Sequence, residues 1–372
     1  MCIFCCNFAA KLCKINNMKR NIAIIAGGDS SEYEVSLRSA AGIESFLADQ
    51  KQYTTTIVLL RGNDWKAKVS DSEWAEIDKN DFSYTYNGVK HIFDFAYITI
   101  HGTPGENGVL QGYLDMIGLP YSCCGVLAAA MTFNKYTCNH YLKGFGVRVA
   151  ESVLLRKSNS QYPIADILNI VGLPCFIKTN VGGSSFGVTK VKTLEEVKPA
   201  IEKAFAEGDE VICEAFMRGI EITCGAYKTK NKAVAFPITE VVTSNEFFDY
   251  DAKYNGQVDE ITPARIPDEV RDAVQAMTLK IYDILGCKGI IRVDYILTSL
   301  EDGTKCLQDG CAYSLEAKGD EAKGERLEIN LLEVNTTPGM TATSFIPQQV
   351  RAAGLNIGEV LSEIIEDAAE RL

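Results

Sequence analysis

Long apolar runs are missing from this 372-residue chain. None reaches the ~18 residues that a membrane-spanning helix needs, which excludes a helical membrane protein. Basic residues are in the minority: 37 Lys and Arg stand against 49 Asp and Glu, for a net charge of −12. That balance argues against a general nucleic-acid binder, although local lysine clusters can still attract anionic substrates. Histidine is scarce, with three in all. There is no G-x-G-x-x-G dinucleotide fingerprint, no Gly-Lys-Ser/Thr leading into a helix, and no protein-kinase signature set. A charged stretch ahead of the first apolar residues is also lacking, so no signal-peptide layout is present. Cysteine, in contrast, is plentiful at 13. Without a secretory signal these read as buried thiols in a reducing cytoplasm. Cys2, Cys5, Cys6 and Cys13 form the one cluster, and no second ligand pair or nearby histidine completes a zinc site. Met18-Lys19-Arg20 precedes the first clear strand. Met18 is therefore a candidate natural start, with residues 1–19 otherwise a tail outside the fold.

What is present is the alternation of strands and helices of an α/β protein, with length for two or three domains of ~100–200 residues. Residues 21–26 are an apolar strand that stops at Gly27-Gly28-Asp29-Ser30-Ser31. Glu32 follows, and a helical pattern runs through Val35, Leu37, Ala40, Ile43 and Leu47. Open α/β sheets bind ligands at turns of this kind. Residues 54–60 and 95–100 read as further strands, and the latter ends in H-G-T-P-G-E-N-G at 101–108. That is a glycine-rich loop with one histidine, His101, and one acid. Residues 125–142 read as one helix carrying Lys135, residues 147–155 as a strand, and residues 267–285 as an amphipathic helix.

Lys178 to Lys190, K-T-N-V-G-G-S-S-F-G-V-T-K, joins two short apolar runs. Taken alone it is either an ordinary hairpin turn or a phosphate cradle. Its glycines permit close backbone approach, while Ser184, Ser185 and the lysines supply hydroxyls and charge. Glu214-Ala215-Phe216-Met217 ends a strand in a linker-like stretch, of the kind that can grip an adenine through its backbone. Residues 244–257 are polar and aromatic without a period, the mark of a functional loop.

The strongest signal is a strand pair, I-I-R-V-D-Y-I at 290–296 and I-N-L-L-E-V-N at 329–335. Alternation puts Arg292 and Asp294 on one face, and Glu333 and Asn335 likewise. If the strands pair antiparallel these groups converge. Two carboxylates and an amide oxygen are hard ligands suited to Mg²⁺ shared with phosphates. Thr336-Thr337-Pro338-Gly339-Met340 follows and offers free N–H groups. Residues 300–326 between them read as an exposed hairpin insertion.

A lid with lysines, an adenine linker and a metal strand pair together resemble the ATP-grasp fold. Six ordered motifs then resemble the D-alanine–D-alanine ligase family from about residue 20 to the C-terminus. They are G-G-D-S-S-E-Y-E-V-S at 27–36, H-G-T-P-G-E-N-G-V-L-Q-G at 101–112, G-G-S-S-F-G-V at 182–188, D-Y-D-A-K-Y at 249–254, R-V-D at 292–294 and L-L-E-V-N-T-T-P-G-M-T at 331–341. The resemblance implies an N-terminal open α/β domain (20–123), then a central ATP-grasp lobe (124–213) and a C-terminal lobe (214–372). It implies that ATP and two D-alanines give the dipeptide, ADP and phosphate through a D-alanyl phosphate, for peptidoglycan precursors. Glu32 then holds the first ammonium and forms a triad with Ser184 and Tyr254. Arg292 and the Gly339 N–H stabilise the oxyanion. His101 sits by the first D-alanine, and Ser344 and Phe345 bound the second. Lys135, Lys178, Ser184, Ser185 and Lys253 attend the phosphates. Glu214, Ala215, Phe216 and Met217 meet adenine, and Glu221 the ribose. Asp294, Glu333 and Asn335 hold two Mg²⁺ or Mn²⁺. A cytoplasmic homodimer is expected on the same ground, and related ligases take D-lactate, D-serine or another amino acid as second substrate. The chain departs from the pattern at Ala215, where lysine is frequent, at Asn134, where aspartate is, and at Phe345, where leucine is.

Overall fold

The computed structural model describes residues 19–159, 162–182, 188–243, 258–300 and 326–370. Three sheets organise them. The first joins β1 (Arg20–Gly27), β2 (Tyr53–Arg61), β3 (Asp64–Lys68), β4 (Trp74–Asp78), β5 (Ser83–Tyr86), β6 (Val89–His91) and β7 (Phe95–Ile98) in the order β6-β5-β4-β3-β2-β1-β7. β1 is parallel to both neighbours, and its residues from Ile22 to Ala26 are fully buried, as a strand covered on both faces must be. At its end Gly27 and Gly28 take φ of +99° and +90°. A Cβ on Gly28 would stand 2.4 Å from Ile100 Cγ2, so glycine lets the β1 and β7 loops close on each other.

The second sheet joins β8 (Ser152–Arg156), β9 (Cys175–Thr179), β10 (Thr189–Val191) and β11 (Glu210–Ala215) in the order β10-β9-β11-β8. The third holds β12 (Ile220–Lys228), β13 (Ala233–Ala235), β14 (Thr239–Thr243), β15 (Val258–Ile261), β16 (Ile290–Leu300) and β17 (Arg326–Asn335), in the order β15-β14-β12-β16-β17 with β13 on β12.

The helices are α1 (Tyr33–Leu47), α2 (Val109–Ile117), α3 (Val126–Phe133), α4 (Lys135–Lys143), α5 (Ile164–Val171), α6 (Leu194–Glu207), α7 (Asp268–Leu285), α8 (Phe345–Ala352) and α9 (Ile357–Ala369). The stretch read as one helix over 125–142 is two. Asn134 takes an extended conformation, bridges to Val181, and caps α4 by accepting the Thr137 N–H at 2.9 Å. The break puts Lys135 at the start of α4, against the lid's base. The strand expected at 147–155 begins only at Ser152; Val149 makes a single bridge to Leu331.

Core packing crosses the boundaries expected from sequence. Ile22, Tyr53, Phe95 and Tyr97 of the first sheet and Ile43 of α1 share one core with Tyr227, Ile290, Met340, Ile346, Leu361 and Ile365 of the C-terminal part. Ala128, Ala129, Cys138 and Leu142 of α3 and α4 pack with Ile222, Ile291, Val293 and Leu331 of the third sheet. The second sheet keeps a core of its own, from Leu155 to Cys213, with α5 and α6.

Candidate active site

Loops from all three sheets meet at an open cleft of about 520 Å³, lined by Glu32, His101, Glu106, Thr132, Phe133, Lys135, Gly182, Glu333, Val334 and Asn335. Five of these, Glu32, His101, Lys135, Glu333 and Asn335, are residues that the sequence singles out.

Glu32 stands at the N-cap of α1, and its N–H donates to Ser30 Oγ at 3.2 Å. Ser30 Oγ donates in turn to the His101 carbonyl at 2.7 Å, so the first two loops brace each other. His101 is buried.

Lys135 Nζ donates to the Gly182 carbonyl at 2.6 Å. Burial pulls its ammonium below the ordinary lysine value, which the carboxylates of Glu333, Glu214 and Glu106 only partly offset. Lys178 on β9 is drawn down by burial too, but Glu214 on β11 lies 2.5 Å away and outweighs it, leaving the pKa raised. The Glu214 carboxylate is thus turned to this lysine. The ring of Phe216, two residues on, is set against Phe176 at 5.8 Å and under Lys190 at 4.0 Å. Ala215 and Met217 are half-buried beside it, and Glu221 starts out along β12 opposite Ile296.

β16 and β17 pair antiparallel, with Arg292 opposite Asn335 and Asp294 opposite Glu333. All four polar groups converge, though not equally. Arg292 grips Asp294 with a two-pronged fork, Nε to Oδ1 at 2.8 Å and an Nη to Oδ2 at 2.6 Å. Thr223 Oγ1 adds a 2.5 Å bond to the same carboxylate, and both charges are buried. Burial works against the Arg292 charge, but Asp294 and then Glu333 raise its pKa above the usual guanidinium value. Glu333 lies 3.9 Å from Arg292 and faces the cleft with Asn335, whose Oδ1 accepts the Thr337 N–H at 3.0 Å. Glu333 and Asn335 offer oxygens to the cleft, the chemistry Mg²⁺ takes. Among the described residues no three His, Cys, Asp or Glu side chains converge to hold a metal, so ligands from phosphates and water would complete the set.

The turn after β17 is held at its far end. The Met340 N–H goes to Ser39 Oγ, and the Thr341 N–H to Ser344 Oγ at 3.1 Å. The Gly339 N–H meets no acceptor among the described residues. The Phe345 ring lies 5.4 Å from the Arg292 guanidinium carbon. Ser184, Ser185, Lys253 and Tyr254 lie outside the described residues.

Three residues join the site that the sequence reading did not assign. Thr223 is the Asp294 clamp just described. Asn180, fully buried inside the lid motif, accepts the Tyr136 N–H at 2.9 Å and donates to Glu210 at 2.7 Å, tying the lid's base to α4. Glu106 lies in the His101 loop, where its oxygen accepts the Gly102 N–H at 2.8 Å. Burial first, and then Glu32 and Glu333, push its pKa up to about 7, against the pull of the Gly102 N–H. A folded pKa above the unfolded one means that the folded state binds this proton more tightly. The group's contribution is therefore fully present at about pH 4 and is lost as pH rises through about 7. Glu106→Gln is expected to remove a slope of at most about 3 kcal/mol between pH 4.5 and 8. Urea unfolding of both proteins at those pH values checks it, and parallel pH profiles would contradict it.

Two family models match the chain: "D-ala D-ala ligase N-terminus" over residues 21–124 and "D-ala D-ala ligase C-terminus" over 141–309 and 321–366. The D-alanine–D-alanine ligase of Bacteroides fragilis is 61% identical over 350 residues, covering 94% of this chain and 99% of that protein. Among solved structures, the D-Ala:D-Ser ligase VanG of Enterococcus faecalis superposes with a TM-score of 0.77 at 28% identity, over 94% of this chain and 99% of that one. The D-alanine–D-alanine ligase of Bacillus anthracis, solved with ATP, gives a TM-score of 0.69 at 27% identity, over 95% and 98%.

Proposed function

The chain belongs to the D-alanine–D-alanine ligase family, and from that premise we propose how its cleft carries out the ligation. It is an ATP-dependent ligase of two D-alanines with an ATP-grasp fold. A carboxylate oxygen of the first D-alanine attacks the γ-phosphorus, ADP leaves, and a D-alanyl phosphate forms. The neutral amine of the second D-alanine then attacks the acyl carbon, phosphate leaves, and the amine's proton is lost.

Glu32 holds the first ammonium, a charge-assisted bond of the strong kind, and His101 lies at its side. Lys135 and Lys178 neutralise phosphate oxygens, Lys135 exchanging its Gly182 carbonyl for them. Glu214 to Met217 receive the adenine and Glu221 the ribose. Arg292 and the Gly339 N–H face the oxyanion, with Ser344 and Phe345 at the second D-alanine. Glu333, Asn335 and Asp294 would hold two Mg²⁺ or Mn²⁺. Such ions neutralise the phosphates and align the transfer. Ser184, Ser185, Lys253 and Tyr254 complete the lid and triad in this reading. We further read the enzyme as a cytoplasmic homodimer. Among the described residues no helix is long and apolar enough to cross a membrane.

The supporting observation is that Glu32, Lys135, Glu333 and Asn335, from separate parts of the chain, line one cleft. With ATP, Mg²⁺ and D-alanine the protein is expected to release one phosphate per dipeptide. No D-alanine-dependent phosphate would overturn the reading. The likeness to a D-Ala:D-Ser ligase favours one rival second substrate, D-serine. Product analysis with D-serine and D-lactate beside D-alanine decides it.

A further inference from the structure

Helix α1 carries Glu32 at its start, and its buried face also reaches the turn that follows β17. Ser36 Oγ accepts the Gly27 N–H at 2.9 Å and donates to the Thr99 carbonyl at 2.8 Å, fixing the helix to the β1 and β7 loops. One turn on, the fully buried Ser39 accepts the Met340 N–H at 3.2 Å. Gly42 lies so close to the same residue that a Cβ would stand 2.3 Å from the Met340 carbonyl oxygen. The Met340 side chain is buried in the core that the first sheet shares with the C-terminal part. At the other end of the turn, Thr337 Oγ1 donates to the Ile100 carbonyl at 3.3 Å. Both of these anchors belong to the N-terminal part of the chain. Between them lies Gly339, with its N–H open.

We propose that Ser39 and Gly42 are positioning residues for the ligation: they set the aim of the Gly339 N–H relative to Glu32 at the start of the same helix. This rests on the D-alanine ligation reading. Seven residues of helix hold Glu32 and Ser39 about 10 Å apart along the axis, so the ammonium holder and the oxyanion donor share one ruler. Neither residue touches substrate. Their effect falls on the amine-attack step, where a displaced N–H no longer meets the developing oxyanion.

The test is the ratio of phosphate released to dipeptide formed, measured with kcat and with KM for ATP. Ser39→Ala is expected to lower the rate of dipeptide formation about tenfold. KM for ATP stays unchanged, and the ratio rises above one as waiting acyl phosphate meets water. Ser39→Thr keeps the acceptor and is expected to restore a ratio of one. Gly42→Ala is expected to raise it as Ser39→Ala does. Should Ser39→Ala fail to fold, Ser39→Cys, a weak acceptor of similar size, takes its place. A ratio of one in Ser39→Ala and Gly42→Ala overturns the proposal, whether the rate holds or falls only with the folded fraction. The ligase reading fails by a different result, the absence of D-alanine-dependent phosphate from the unmodified protein.

Discussion

Arg292→Ala is expected to lower kcat/KM for ligation by about 10²–10³-fold, as loss of one oxyanion donor does. It is also expected to destabilise the fold by about 3–5 kcal/mol, the range for breaking a buried ion pair from one side. The reason is Asp294. With the two-pronged fork gone, a carboxylate 6% exposed keeps one short bond, from Thr223, and no ion pair among the described residues. The two losses separate in the double variant. Arg292→Ala with Asp294→Asn removes the stranded charge, so much of the stability returns while activity stays low. Arg292→Lys keeps a charge but cannot form the fork, and falls between. Denaturant melts and steady-state kinetics on the three proteins check this. Equal stability of Arg292→Ala and the unmodified protein would show that the pair is not strongly coupled.

Gly289→Ala and Gly286→Ala are expected to differ sharply despite φ values of +66° and +62°. Gly286 ends α7, and its added Cβ would meet nothing within 4 Å, so the cost is the left-handed backbone alone, about 1–2 kcal/mol. A Cβ on Gly289 would lie 1.8 Å from the Ser122 carbonyl oxygen, backbone that cannot rotate aside. Either the chain leaving the first sheet shifts or β16 does, and β16 carries Arg292 and Asp294. Overpacking adds about 1–3 kcal/mol or more. Gly289→Ala should therefore lower the thermal midpoint well beyond Gly286→Ala and reduce activity in what still folds. Matching midpoints would refute it.

The shared faces of Arg292 with Asp294 and of Glu333 with Asn335 were legible in the sequence because alternation is a local rule: R-x-D and E-x-N need only be strands for their side chains to share faces. Which partner each side chain prefers was not. That Arg292 spends both prongs on Asp294, and that Thr223 from a third strand joins them, depends on β12 lying beside β16, some 70 residues away in sequence. The hairpins β3 to β6 carry a signal of their own in the sequence. Asn87-Gly88 links β5 to β6 with φ of +50° and +76°, the two-residue turn that Asn-Gly favours. The helix break at Asn134 was hidden because Val126 to Lys143 has no glycine or proline. It arises from the bridge to Val181, a tertiary demand. Glu106 was visible as the acid of its loop, but its raised pKa comes first from burial and then from Glu32 and Glu333, and only the fold supplies either.

The core shared by the two ends of the chain also sets an order of events during synthesis. Arg20 pairs with Glu366 at 3.0 Å, Tyr53 donates to the same carboxylate at 2.7 Å, and Leu361 and Ile365 cover the face formed by Ile22, Tyr53 and Phe95. Those covering residues leave the ribosome roughly 300 residues after Tyr53, on the order of 15–60 s later at ~5–20 residues per second. Until then α1 covers that face of the first sheet without its C-terminal partners, and a nascent chain halted before α9 would present the remainder to chaperones.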